Sequence, residues 1–150
     1  MMKAVITGGG TGGHIYPALA VAEELKDRGW EILYLGYDYR MESEIVPETG
    51  FDFKGLPVRP LPRKISTELI SSIFYNSLAF IRALNLINQF KADLIIGTGG
   101  FVAGPVVLAG ALLRKKTIIH EQNAYPGITN KLLARVADRV CLNFPEAKEY

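Results

Sequence analysis

Apolar positions along the 150-residue chain fall into two alternating rhythms. Five short runs are rich in β-branched residues and lack in-out alternation: Lys3–Thr7 (KAVIT), Glu31–Gly36 (EILYLG), Asp93–Gly97 (DLIIG), Thr117–His120 (TIIH) and Arg139–Asn143 (RVCLN). Strands buried on both faces read this way, which favours a parallel sheet. Between them the spacing predicts helices over Tyr16–Arg28, with Pro17 in the first turn and Gly29 as the stop, and over Thr67–Phe90, capped by Ser66 or Thr67. Two more are predicted over Pro105–Leu113 and Ile128–Ala137. Strand and helix in succession build right-handed βαβ units, so the expected fold class is α/β, an open doubly wound parallel sheet. The proline-rich Leu56–Lys64 (LPVRPLPRK) is expected to be a stiff, extended connection.

Composition narrows the function classes. At 49% hydrophobic residues the chain is long enough for one domain with its own core, residues 1–150, and too short for two. Seventeen Lys and Arg against fifteen Asp and Glu leave a net charge of +2, which is no polyanion-binding signature, so nucleic acid is not an expected partner. The single cysteine, Cys141, lies in apolar RVCLNF and is expected as a buried strand thiol in a reducing cytoplasm. The opening MMKAVITGGG enters a strand directly, and export by a signal peptide is not expected. No cluster of His, Cys and carboxylates has metal-ligand spacing, so neither a catalytic metal nor a cofactor is expected.

Chemistry concentrates in VITGGGTGGHIYPAL, Val5–Leu19, where five of the six residues 8–13 are glycine. A glycine loop leaving a strand and opening a helix turns unpaired N–H groups and the positive end of the helix dipole toward one spot, which suits a phosphate or diphosphate. A Cβ at Gly12 or Gly13 is expected to block that approach, and some of these glycines to need positive φ. Gly8, Gly10 and Gly13 also satisfy G-x-G-x-x-G, so a nicotinamide-dinucleotide domain is a rival reading. The acid such a domain wants after its second strand has only partial support, with Gly36 near the expected place and Asp38 a little beyond. A Walker loop is excluded, because His14 stands where Gly-Lys-Ser/Thr should follow. Two further turns, GTGGFVAGP (Gly97–Pro105) and HEQNAYPGITNK (His120–Lys131), follow apolar strands and line the same sheet edge. Several such loops fit an enzyme gripping a large phosphorylated acceptor better than one needing a single phosphate loop.

GGGTGGHIYPALAVAEEL, YRMESEIVPETGF, GTGGFVAGPVVLA and HEQNAYPGITNKLLAR, in this order and spacing, resemble the amino-terminal half of the MurG family of bacterial cell-wall N-acetylglucosaminyltransferases. The resemblance implies a Rossmann-like domain that is half of a GT-B glycosyltransferase. It also implies inverting transfer of GlcNAc from UDP-GlcNAc to lipid I, undecaprenyl-diphosphoryl-MurNAc-pentapeptide, to give lipid II in peptidoglycan synthesis. In this family the amino-terminal domain chiefly holds the acceptor and the carboxyl-terminal domain most of the UDP-sugar. That second domain is expected to be absent from this chain and the fragment alone to be inactive, which leaves a non-catalytic acceptor-binding subunit of a split transferase as a further reading. The resemblance implies that Thr11, Gly12, Gly13 and Asn123 lie where donor and acceptor meet, and that Gly99, Gly100 and Gln122 contact the acceptor.

Transfer by single displacement needs a base for the acceptor hydroxyl, electrostatic support for the departing diphosphate and tight positioning. His14 is the first choice for the base, since a neutral imidazole accepts a proton near neutral pH, and Glu121 is the alternative. His120, at a strand end, is expected to be a satisfied structural residue. Ser66–Phe90 is too interrupted by Asn76, Arg82, Asn85 and Asn88 to span a bilayer, yet its apolar positions exceed one stripe. A membrane-surface contact through Ile73 and Phe74, with Arg59, Arg63 and Lys64 near anionic headgroups, is expected, placing the protein peripherally on the inner face of the cell membrane.

Overall fold

Segments apolar on both sides can be buried only in a sheet covered on both faces. In the computed structural model, which describes residues 1–150 except Arg63 and Ile65, six strands form one parallel sheet. They are β1 (Lys3–Thr7), β2 (Glu31–Tyr37), β3 (Asp52–Leu56), β4 (Leu94–Gly97), β5 (Lys116–Glu121) and β6 (Arg139–Leu142), in the order β3-β2-β1-β4-β5-β6. The helices are α1 (Gly12–Asp27), α2 (Met41–Glu48), α3 (Thr67–Phe90), α4 (Ala103–Leu112) and α5 (Ile128–Leu133), followed by a 3-10 turn over Pro145–Glu149. Successive strand residues feed opposite cores. Ala4, Ile6, Ile32 and Tyr34 pack beneath Ile15, Ala18 and Ala22 of α1 and Val46 of α2. Val5, Leu33, Leu35, Ile95 and Ile119 pack beneath α3, α4 and α5 through Ala79, Ala83, Ile87, Val106 and Leu133.

All five expected strands and four expected helices are present; β1 and α3 have the expected bounds, and the others have shifted ends. α1 begins at Gly12 and not at Tyr16, so Gly12 and Gly13 belong to its first turn. α5 stops at Leu133, four residues short of the expected Ala137. Two elements the pattern did not reveal are α2 and β3. β3 is an edge strand whose DFKGL alternates exposed and half-buried positions, and α2 is eight residues long with Pro47 inside it, so neither carries a long apolar signal. Cys141 is a correction: it is exposed, because β6 is the other edge strand and all four of its residues are exposed. Apolar composition there reflected strand propensity rather than burial.

The proline-rich connection is anchored to α3 at Arg59 and Pro60. Asn76 of α3 receives the Arg59 N–H at 3.1 Å and returns its own amide to the Arg59 carbonyl at 2.8 Å, and Ser72 donates to the Pro60 carbonyl at 3.0 Å. Ser66 caps α3, its hydroxyl accepting from Leu69 N.

Candidate functional site

The chain leaves β1 toward β2 on one side and returns in β4 on the other, which makes the β1/β4 boundary the switch point where the carboxyl edge opens into a crevice. The glycine loop after β1 and the glycine turn after β4 face each other across it. Thr98 fastens the two together. Its N–H donates to Thr7 O at 2.9 Å, its hydroxyl to His14 O at 2.7 Å, and its carbonyl lies 3.1 Å from His14 Nδ1. Gly100 has φ +78, and a Cβ there would run into the backbone of Gly9, so only glycine lets the two turns approach this closely.

The first loop divides into two functions. Gly8 and Gly9 are buried and serve the scaffold. Tyr34, fully buried, donates its phenol to Gly8 O at 2.7 Å, and burial together with the nearby Glu42 charge pushes that phenol's pKa up, so it stays a donor. Glu42 of α2 is 0% exposed and its carboxyl oxygens accept from Gly10 N at 3.2 and 3.3 Å and from Tyr37 N at 3.2 Å. A Cβ on Gly9 would collide with this side chain, and one on Gly36 with both it and the Phe53 ring. Sequence reading missed Glu42 because one acid in a short polar helix looks solvated. Glu42→Ala is expected to leave two part-buried N–H groups without this acceptor and to lower unfolding free energy by about 3 kcal/mol, with a smaller loss for Glu42→Gln, which keeps one acceptor oxygen. Urea denaturation of the three proteins checks both, and equal stabilities would remove Glu42 from the loop's support.

The second part of the loop faces outward. Thr11 precedes α1 without a side-chain cap, and among the described residues nothing accepts the N–H groups of Gly12 and Gly13. Gly13 is exposed, and a Cβ there would meet only Thr11 Oγ1 at 3.7 Å. Neither Gly12 nor Gly13 has positive φ; in this loop that conformation belongs to Gly10, at +83. Larger residues at 12 or 13 would therefore crowd an approaching anion rather than strain the turn. His14, half-buried, follows Gly12 and Gly13 in the first turn of α1, with its ring against Gly99.

The third turn is organised around Glu121, 1% exposed. Its Oε1 accepts from Asn123 N at 3.0 Å and Asn123 Nδ2 at 2.9 Å, and its Oε2 from Asn130 Nδ2 at 2.8 Å and Gly127 N at 3.3 Å. Burial acts to raise its pKa, but the donations from Asn123, Asn130 and Gly127 outweigh it and hold the carboxyl below the ordinary glutamate range. With both carboxylate oxygens taken up by these four donations, Glu121 clamps the turn. Asn123 is left exposed at the tip. Gln122 is turned inward, its amide nitrogen 2.7 Å from Thr98 O and its Oε1 buried without a partner among the described residues. The expected acceptor-side glycines Gly99 and Gly100 flank His14 and Gly9.

The dinucleotide reading finds no footing here. Asp38 lies over Gly55 of β3, and the space at Gly36, where a ribose-binding acid would act, is filled by the inward-facing Glu42. Among the described residues no group of His, Cys, Asp or Glu is arranged to hold a metal ion. On α3 the buried positions Ser72, Ala79, Ala83 and Ile87 form one stripe, and Ile70, Ile73, Phe74, Leu78 and Ile81 stand exposed on another face, Phe74 at 60%. Lys64 is exposed beside the start of this helix, whereas Arg59 is drawn onto it, stacked 3.7 Å from the Tyr75 ring centroid and bonded to Ser71. The expected lipid contact at Arg63 lies outside the described residues.

Comparison with known proteins adds three findings. The profile of the glycosyltransferase family 28 N-terminal domain matches residues 4–142. The chain is 57% identical over 149 residues to the UDP-N-acetylglucosamine--N-acetylmuramyl-(pentapeptide) pyrophosphoryl-undecaprenol N-acetylglucosamine transferase of Halothermothrix orenii, and 50% identical over 151 residues to the protein of the same name from Natranaerobius thermophilus. In each case 99% of this chain is covered but only 40% and 41% of the relative, so the chain spans about two fifths of their length. The crystal structure of Acinetobacter baumannii MurG superposes with a TM-score of 0.85 at 34% identity, over 97% of this chain and 43% of that one.

Proposed function

The chain belongs to the glycosyltransferase family 28 N-terminal domain family, and from that premise we propose that residues 1–150 are the acceptor-binding, Rossmann-like half of a GT-B enzyme that moves GlcNAc from UDP-GlcNAc to lipid I. The observation that carries this reading is the open N-terminus of α1, with the unaccepted Gly12 and Gly13 amides followed along the chain by His14. Those amides, at the positive helix end, suit a diphosphate, while His14 takes the proton from the attacking acceptor hydroxyl. The hydroxyl oxygen bonds to the anomeric carbon as the bond to UDP breaks, inverting that centre and giving lipid II. Thr11, Gly12, Gly13 and Asn123 border the meeting point of donor and acceptor, and Gly99 and Gly100 border the acceptor. The donor is held mainly by a carboxyl-terminal domain of the kind that accounts for the greater length of the relatives. Supporting the lipid-linked acceptor is the exposed apolar face of α3 with Lys64 beside it, which suits peripheral contact with the cytoplasmic face of an anionic membrane.

Thermal-shift titration tests the binding part: a soluble lipid I analogue should stabilise the chain and NAD should not, and the reverse result would restore the dinucleotide reading. Sedimentation with vesicles tests the membrane part. Phe74→Asp is expected to lower partitioning onto phosphatidylglycerol-containing vesicles at least tenfold, since burying a phenylalanine is worth about 1.5–3 kcal/mol. Equal partitioning of both proteins would show that α3 does not enter the interface.

A further inference from the structure

The two histidines of the chain, His14 and His120, stand at the ends of one hydrogen-bonded row that also contains the Thr98 carbonyl and the Gln122 amide. The role of each atom in the row follows from what it can and cannot do. A carbonyl oxygen only accepts, so His14 Nδ1, 3.1 Å from Thr98 O, carries the proton of that ring. The Gln122 atom 2.7 Å from the same oxygen must likewise be the amide nitrogen, because its own oxygen there would meet a second acceptor. That nitrogen lies 3.3 Å from His120 Nδ1, which therefore accepts its second N–H. His120 Nε2 then carries the proton and donates to Asn143 Oδ1 at 3.0 Å. Gln122 Oε1 is left buried without a donor, so the amide sits where Thr98 and His120 want its nitrogen, not where its oxygen would be satisfied.

From this row we infer that Thr98 and Gln122 are positioning residues that fix His14 as the Nδ1–H tautomer, leaving Nε2 as the lone-pair atom offered to the crevice, with His120 held in the opposite tautomer. His14 is half-buried, and its Nε2 has no hydrogen-bond partner among the described residues. The inference rests on the reading of His14 as the proton acceptor and specifies the atom that does it. A base must present a lone pair, and a ring free to exchange tautomers would present N–H for part of the time. Two donors on one carbonyl also hold the Thr98 peptide plane. The Thr98 hydroxyl to His14 O bond keeps the ring's own backbone at a fixed distance from that plane. His120 thus gains a role distinct from catalysis, as the acceptor that orients Gln122.

Long-range 1H–15N correlation spectra of the 150-residue chain, at a pH where both imidazoles are neutral, test this directly, and with two histidines a single His120→Asn spectrum assigns them. His14 should show a protonated-type Nδ1 and a bare-type Nε2, and His120 the converse. A His14 ring in the Nε2–H form, or averaging between forms, overturns the inference without any variant. In a folded Gln122→Leu protein the His14 pattern should move toward an average of the two forms. An unchanged pattern there would strike out Gln122 as a positioning residue. These readouts are independent of substrate, so a correct tautomer pair in a chain that fails to bind the lipid I analogue would sink the proposed function and leave the tautomer assignment standing.

Discussion

Given UDP-GlcNAc and a soluble lipid I analogue, the isolated 150-residue chain is expected to bind the acceptor and to transfer no detectable sugar. Its crevice offers the His14 ring, two helix amides with no acceptor among the described residues and the exposed Asn123 along one sheet edge. In relatives named for the transfer this chain corresponds to about 40% of the length. If the rest holds the donor, its loss removes positioning worth up to about 7–11 kcal/mol and electrostatic contacts worth about 3–4 kcal/mol each. Since every 1.4 kcal/mol or so is a factor of ten in rate, the deficit exceeds what a sensitive radiolabel assay can follow. Acceptor binding should survive, because both faces of the sheet carry their own packed clusters within residues 1–150. Label in the product with the chain alone, lost in His14→Ala, would mean that the donor site lies within these residues.

How much of this was legible in the sequence differs from element to element for physical reasons. Strands β1, β2, β4 and β5 announced themselves because burial on both faces demands uninterrupted apolar runs. β3 escaped because only Phe53 and Leu56 of DFKGL are apolar, one toward each side of the sheet, too few to make an apolar run. The glycine loop was visible as a site, but not its division of labour. Gly9 and Gly36 lie against Glu42, a side chain from a helix the apolar pattern did not show, and a buried acid cannot be told from a solvated one in a string such as MESEIVPE. The same limit applies to Glu121 and Gln122. Their residue types suited a base and an acceptor contact, and only the positions of Asn123, Asn130 and the Thr98 carbonyl reveal that both side chains face inward. What sequence identifies well is where chemistry collects; which members of the cluster touch substrate is decided by hydrogen bonds between segments distant along the chain.

His14→Ala, made in this chain joined to the carboxyl-terminal part of a relative, is expected to cut turnover by about two to four orders of magnitude while changing acceptor affinity little. The split follows from how the ring is held. Its Nδ1 is spent on Thr98 O, so the only atom lost from the crevice is Nε2, and the helix amides proposed to carry the diphosphate belong to Gly12 and Gly13 and remain in place. Nor should the fold give way. Thr98 O keeps its bond from Gln122 at 2.7 Å, and the bond from the Thr98 hydroxyl to the residue 14 carbonyl does not involve the side chain. The missing hydrogen bond and packing should therefore cost about 1–2 kcal/mol of stability, well within reach of a circular-dichroism melt. Single-turnover kinetics at saturating acceptor separate the alternatives. A slower chemical step with an unchanged half-saturation concentration identifies His14 as the proton acceptor. Weaker acceptor binding with the saturated rate intact would instead make His14 a hydrogen-bond donor to the diphosphate, and the attacking hydroxyl would have to lose its proton elsewhere.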